Sequence, residues 1–162
     1  MPRYRFPSFA RSRFLPLSWP NLAFQYGDAS ELKYEDEFDL VLSFACLHWV
    51  QDHGPVLEGI KRSLKNGGKV LMQFGGRGNA AAILEVVDGL ISEKKWSGYF
   101  EGFRFPYGFF GPDEYRTWLE CAGLKALRVE LVAKDMVQKG REGLISWFKT
   151  TWLPYIEKIP ED

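Results

Sequence analysis

The stretch FDLVLSFACLHWV, residues 38–50, decides how the rest of the chain is read. An acid, Asp39, leads into a nearly continuous apolar run through Leu40, Val41 and Leu42 to Phe44, broken only at Ser43. Such a run is expected of a strand covered on both faces in a parallel sheet. Past its end come Cys46, His48 and Trp49, a concentration of functional groups that a buried strand does not need. Downstream, Pro55 suits the first position of a helix. Val56, Leu57, Ile60 and Leu64 would form its buried stripe and Gly67 its stop. KVLMQF, residues 69–74, then reads as the next buried strand, so 38–74 is a strand–helix–strand unit with an expected right-handed crossover.

Upstream, LAFQY at 22–26 alternates and is closed by GDAS, which predicts a short strand and a turn. ELKYEDE, residues 31–37, is a charged connector. Downstream, Asn79 is placed to cap a helix whose apolar face is Ile83, Leu84, Val87, Leu90 and Ile91. YFEGFRFPYGFF, residues 99–110, holds seven aromatics in twelve positions. It suits packing and a lid. Pro112 opens a further helix with Tyr115, Trp118, Leu119 and Ala122 on one side and Gly123 as its stop. Apolar residues at odd positions of 127–133, with Arg128 and Glu130 between them, predict a strand with one wet face near a sheet edge. Residues 141–155 are helical in pattern, with Leu144, Ile145, Phe148 and Trp152, until Pro154. Residues 1–20 are rich in Arg and Pro, and 9–14 suit the end of a helix.

Strands alternating with helices predict an α/β fold, a parallel sheet with helices on both faces. Ligands bind such sheets beyond the carboxyl ends of the strands. GDAS, SFACLHW and GGRGN (75–79) all lie at such ends, and together they outline one candidate crevice.

Composition narrows the classes. A chain of 162 residues has room for one domain with a core. Lys plus Arg equals Asp plus Glu at 21 each, so no global field favours nucleic acid or an anionic membrane. No apolar run approaches the roughly 20 residues of a membrane span. Cys46 and Cys121 form no metal spacing, and free thiols point to a reducing, cytoplasmic setting. Six Trp and thirteen Phe suit a large apolar pocket or a dense core.

In order and spacing, NLAFQYGDAS, FDLVLSFACLHWV and LKNGGKVLMQFGG resemble the later motifs of class I S-adenosylmethionine-dependent methyltransferases, of the type 11 domain kind. Within that superfamily, LHWVQD (47–52) and TTWLPYIEKIPE (150–161) are most similar to trans-aconitate and insect juvenile hormone acid methyltransferases. The resemblance covers residues 9–162. It implies S-adenosyl-L-methionine as cofactor and a small-molecule carboxylate as methyl acceptor. It implies that Asp28 accepts from the adenine amine and that the Ala29 amide donates to the ring. Ser43, Phe44 and Ala45 would run beside the methionine end, and His48 and Trp49 would face the acceptor as its catalytic-side groups. Nothing suggests a metal, nucleic acid or membrane partner.

The departures are equally specific. No G-x-G-x-G precedes Asp28, and no second strand ending in a ribose-holding acid is found. The expectation is therefore an incomplete Rossmann-like methyltransferase sheet, shortened at both ends. Residues 1–20 would be an irregular or remnant helix segment, and 21–162 a partial domain with 96–120 and 141–162 covering the acceptor side. Such a chain is expected to bind the cofactor weakly or not at all, and to expose the edge of the strand at Asp39 to self-association. The alternative to an enzyme is a non-catalytic remnant of the fold. Bland roles stand beside the sharp ones: a turn for Asp28, core packing for His48 and Trp49, an apolar filler for Cys46, and a simple loop for GGRGN. Arg77 in that loop could meet an anionic acceptor.

Overall fold

A computed structural model describes residues 21–160. Two strands, β1 (Phe38–Phe44) and β2 (Leu64–Gln73), pair in parallel. Leu40 lies opposite Lys69, Leu42 opposite Leu71, and Phe44 opposite Gln73. Between the Phe38–Leu64 and Leu40–Lys69 pairs, β2 carries three more residues than β1. Gly67, at φ +79°, takes up that bulge. It does not end the preceding helix, as its position suggested. That helix, α1 (Gly54–Ser63), stops sooner, because Leu64 already adopts extended backbone and joins β2 directly.

The crossover helix α1 has Pro55 in its first turn and buries Val56, Leu57 and Ile60. Val56 and Ile60 pack with Leu47 and Leu64, and against Val41, Val70 and Met72 on one face of the sheet. Next come α2 (Ala81–Ser92), α3 (Pro112–Cys121), α4 (Gly140–Thr151) and the single turn α5 (Leu153–Ile156). Helix α3 buries Tyr115 and Leu119 with Leu57, against Met72 and Phe74, so it shares the face that α1 covers. Gly123 does end α3. Its N–H donates to Glu120 O at 2.9 Å, and that of Leu124 to Leu119 O at 2.8 Å, the paired bonds of a Schellman stop. Helices α2, α4 and α5 meet elsewhere. Val87, Trp152 and Tyr155 are buried there with Tyr107 from the aromatic run.

The fold is thus an incomplete Rossmann-like sheet with helices. Among the described residues its helical cover lies on one face. On the other face Leu40, Leu42, Phe44 and Leu71 are each more than half exposed. The expected double burial of β1 is not seen there. An unbroken apolar run marks a strand that suits two covered faces, but what covers them comes from elsewhere in a chain.

Three further expectations are corrected. Residues 22–26 and 127–133 form no strands. Period-two alternation makes a strand only where a neighbour supplies the ladder, and among the described residues neither segment has one. Asn79 does not cap α2. Ala80, at φ +55°, takes the cap position, and the Asn79 N–H closes the preceding turn onto Gly76 O at 2.9 Å. Residues 1–20, with the expected helix end at 9–14, lie outside the described part of the chain. Among the described residues no helix is long and apolar enough to cross a membrane, and no cluster of side chains could hold a metal ion.

Candidate functional site

The chain leaves β1 abruptly. Ala45 adopts φ +51°, a left-handed conformation that a residue with a Cβ takes at a cost of roughly 1–2 kcal/mol. Its N–H still closes the ladder on Gln73 O at 2.8 Å. Strain of this kind collects at functional sites. Here it turns the backbone into a short 3₁₀ turn, Leu47–Trp49, that roots Leu47 in the core. Its neighbours His48 and Trp49 are half-buried beside the aromatic run.

The His48 ring lies 5.8 Å from Trp49, 6.4 Å from Tyr107 and 6.1 Å from Phe109, centroid to centroid. Trp49 lies 4.8 Å from Tyr107. Tyr107 stacks at 5.6 Å on Phe109 and donates its hydroxyl to Thr151 O at 3.0 Å, which ties the wall to the end of α4. Two bonds strap the aromatic run onto the 3₁₀ turn. Gly108 N–H donates to His48 O at 2.9 Å, and Gln51 Nε2 donates to Phe105 O at 2.7 Å. The loop after β2 reaches the same place, where Gly75 N–H donates to His48 Nδ1 at 3.3 Å. Burial holds the His48 imidazole below its ordinary pKa, so the ring is neutral at pH 7.

Asp28 stands apart from this wall. Its Oδ1 accepts from Ser30 N–H at 2.9 Å and Ser30 Oγ at 2.7 Å, capping a short turn at Ala29–Glu31. Ala29 and Leu32 pack on the cluster around Leu47, Val56 and Ile60, which fixes that turn beside α1. The bland turn role of Asp28 is therefore real, and its carboxylate is also exposed. Phe44 and Ala45 are exposed at the strand end, and Ser43 is half-buried.

Residues 8–72 match the family described as a methyltransferase domain. The chain is 32% identical to trans-aconitate 2-methyltransferase of Deinococcus radiodurans over 146 residues, 86% of this chain and 55% of that protein. It is 32% identical to juvenile hormone acid O-methyltransferase of Drosophila melanogaster over 131 residues, 77% of this chain and 43% of that one. Over most of its length, then, the chain is similar to methyltransferases, and residues 8–72 match that domain family. The chain spans about half the length of the curated relatives it matches. A solved structure of Haemonchus contortus phospholethanolamine N-methyltransferase 2, in complex with phosphomonomethylethanolamine and S-adenosylhomocysteine, aligns with a TM-score of 0.42 at 21% identity. That alignment takes in 83% of this chain and 29% of that one.

Three sequence expectations at the site change. Arg77 is not held ready for an anion. Its guanidinium pairs with Glu114, whose carboxylate also accepts from Gly111 N–H at 3.0 Å, and the Arg77 N–H donates to Phe110 O at 2.9 Å. GGRGN is thus fastened to the start of α3. Cys46 is exposed and is not an apolar filler; the backbone leaves the core at Ala45 and returns only at Leu47. Desolvation also raises its thiol pKa, the wrong direction for a nucleophile.

Sequence reading missed His53, the most buried polar side chain near the site, at 1% exposure. Its Nε2–H points at both Leu47 O and Val50 O, each 2.9 Å away, and its Nδ1 accepts from the Tyr115 hydroxyl. Burial lowers its pKa, against the opposing pull of those carbonyls and of Asp52, and burial raises that of Tyr115. Both nitrogens are used internally, so His53 braces the 3₁₀ turn from beneath. Tyr115 lies 62 positions away, and no local pattern announces it.

Asp28 is exposed on its turn, and Phe44 and Ala45 are exposed at the end of β1. Among the described residues no strand precedes β1, and the glycine-rich loop GGRGN follows β2.

Proposed function

We propose that this chain is the acceptor-bearing part of an enzyme that moves a methyl group from S-adenosyl-L-methionine to a carboxylate of a small organic acid. The observation that carries this is the neutral His48, set in a wall of Trp49, Tyr107 and Phe109 and strapped at the carboxyl end of β1. The names of the two curated relatives support a carboxylate acceptor. Asp28 and the Ala29 amide would hold the adenine end of the cofactor, and Ser43, Phe44 and Ala45 would flank its methionine end.

When bound, the cofactor supplies a sulfonium-activated methyl group. A carboxylate is already ionised near pH 7 and needs no general base. Its oxygen would accept that methyl group with no proton to be moved, so the chain's own groups need only hold and orient the acid. His48 and Trp49 orient the acid, and the aromatic wall excludes water. Alignment and desolvation of this kind can supply several kcal/mol of barrier reduction.

The test is incubation of the chain with methyl-tritiated S-adenosylmethionine and, in parallel, trans-aconitate, laurate, ethanolamine and phenol. Base-labile methyl esters formed from the two acids, at the low rate that a weakly held cofactor allows, are the expected product. Label in the amine or phenol alone would overturn the assignment. A second function is favoured by the bare sheet face of Leu40, Leu42, Phe44 and Leu71. There the chain keeps part of the fold, binds no cofactor by itself and pairs with a second copy through that face and the β1 edge. A dimer in sedimentation, with no calorimetric signal for the cofactor, would select it.

A further inference from the structure

The two histidines near the site are wired differently, and the difference bears on what the acceptor must present. His53 has partners on both ring nitrogens. His48 has one, the Gly75 N–H, which donates to Nδ1 at 3.3 Å. A ring nitrogen can accept only when it carries no proton, so in a neutral imidazole the proton sits on the other nitrogen. Among the described residues Nε2 of His48 has no hydrogen-bond partner, and it is not sealed in the core. Trp49, Tyr107 and Phe109 stand around the ring.

We propose that the Gly75 amide fixes His48 as the Nε2–H tautomer, and that this N–H donates to the carboxylate oxygen of the acceptor that does not take the methyl group. The inference rests on the carboxylate acceptor proposed above and adds the group that selects it. The Nδ1 lone pair of His48 is then taken by Gly75 and Nε2 carries the proton, so the ring offers the acceptor no base. Acceptors that must lose a proton before attack, such as amines and alcohols, find no help from this ring. An acid that arrives ionised finds one fixed donor, while its other oxygen stays free to form the new bond. Gly75 is a positioning residue. A Cβ there would lie 3.0 Å from both the Asn79 amide carbon and the Phe109 ring, so a side chain would push the loop away from His48.

The experiment has two readouts on the full 162-residue chain. Long-range proton–nitrogen NMR of the imidazoles at pH 7.5 should show His48 with a bare Nδ1 and a protonated Nε2. Trans-aconitate should shift the Nε2 signal, and Gly75→Ala should mix the tautomers. In kinetics, His48→Gln places an amide N–H where Nε2–H was, while His48→Asn places one where Nδ1 was. KM for the acid should stay within about threefold in His48→Gln and rise about tenfold or more in His48→Asn, the loss of one hydrogen bond to a charged group. An Nδ1–H spectrum, or equal KM changes in the two variants, overturns the inference while leaving the methyltransferase assignment intact. An Nε2–H spectrum in a chain that methylates no acid refutes the acceptor half together with the proposed function.

Discussion

Gly108 is the position where a single methyl group should disturb both stability and site. A Cβ built there lies 2.4 Å from Val50 O and 2.6 Å from a Phe110 ring carbon. The first distance is 0.6 Å inside the 3.0 Å that side-chain carbons essentially never cross. Val50 O cannot move freely, because it also accepts from the buried His53 Nε2–H at 2.9 Å. Gly108→Ala must therefore push the strap outward, stretching the bond from Gly108 N–H to His48 O, or displace a carbonyl that a buried imidazole needs. Overpacking of this kind costs about 1–3 kcal/mol, and a lost hydrogen bond about 1 more. The sum is about 2–4 kcal/mol. With a urea slope of about 2 kcal/mol per molar, the unfolding midpoint should fall by about 1–2 M. Tryptophan fluorescence reads the transition, and Gly98→Ala, with nothing within 4 Å of its Cβ, is the control, expected to stay within about 0.5 kcal/mol. A Gly108→Ala midpoint within 0.2 M of the parent would mean that the strap is not tight and that His48 is held by other means.

Tyr115→Phe leaves His53 Nδ1 buried without its donor and should cost about 1–3 kcal/mol in the same urea assay; no change would remove the pair from the bracing of the 3₁₀ turn. The folded-state pKa of His53 is depressed by burial below its ordinary 6.5, so the unfolded chain binds its proton first as pH falls. Stability contributed by that histidine is whole above pH 6.5 and declines below it, by at most about 1.4 kcal/mol per pH unit until the folded pKa is reached. Urea midpoints at pH 7.5 and 5.5 check this, and a flat profile contradicts it. Asp28→Ala should weaken cofactor binding by about 0.5–1.5 kcal/mol in calorimetry. Asp28→Asn keeps the Oδ1 cap on Ser30, so parent-like affinity in the Asn variant beside a loss in the Ala variant would show that only the turn mattered.

The parts of the fold legible in sequence are those whose physics is local. Pro55 and Pro112 mark helix starts because their fixed φ suits a first turn, and Gly123 marks a stop because the chain there must turn left-handed. The apolar runs of β1 and β2 mark themselves. Segments 22–26 and 127–133 carry the same kind of signal, yet a strand is a property of a pair, and the partner is not encoded in the segment. The site divides along the same line. His48 and Trp49 stand out at a strand end. What holds them lies 27 residues away at Gly75 and roughly twice that at Phe105 and Gly108. The Arg77–Glu114 pair spans 37 residues and turned an apparently available cation into a fastener. Long-range polar pairs of this sort leave no periodicity to read.

The turn that carries His48 and Trp49 is restrained by several separate elements. His48 and Trp49 sit on a turn rooted by buried Leu47, braced from below by His53 and strapped from above by Gly108 and Gln51. Each of these restraints comes from a different element, so no single fluctuation releases the turn. Asp28 sits on a three-residue turn capped by its own side chain, and Ala45 is a strained residue tied by one ladder bond. Regions with few buried contacts and exposed hydrogen bonds open at the lowest free energy. In the function proposed above, the acceptor would therefore meet a wall fixed by several elements, while Asp28 would meet the donor from an exposed turn that Ala29 and Leu32 seat beside α1.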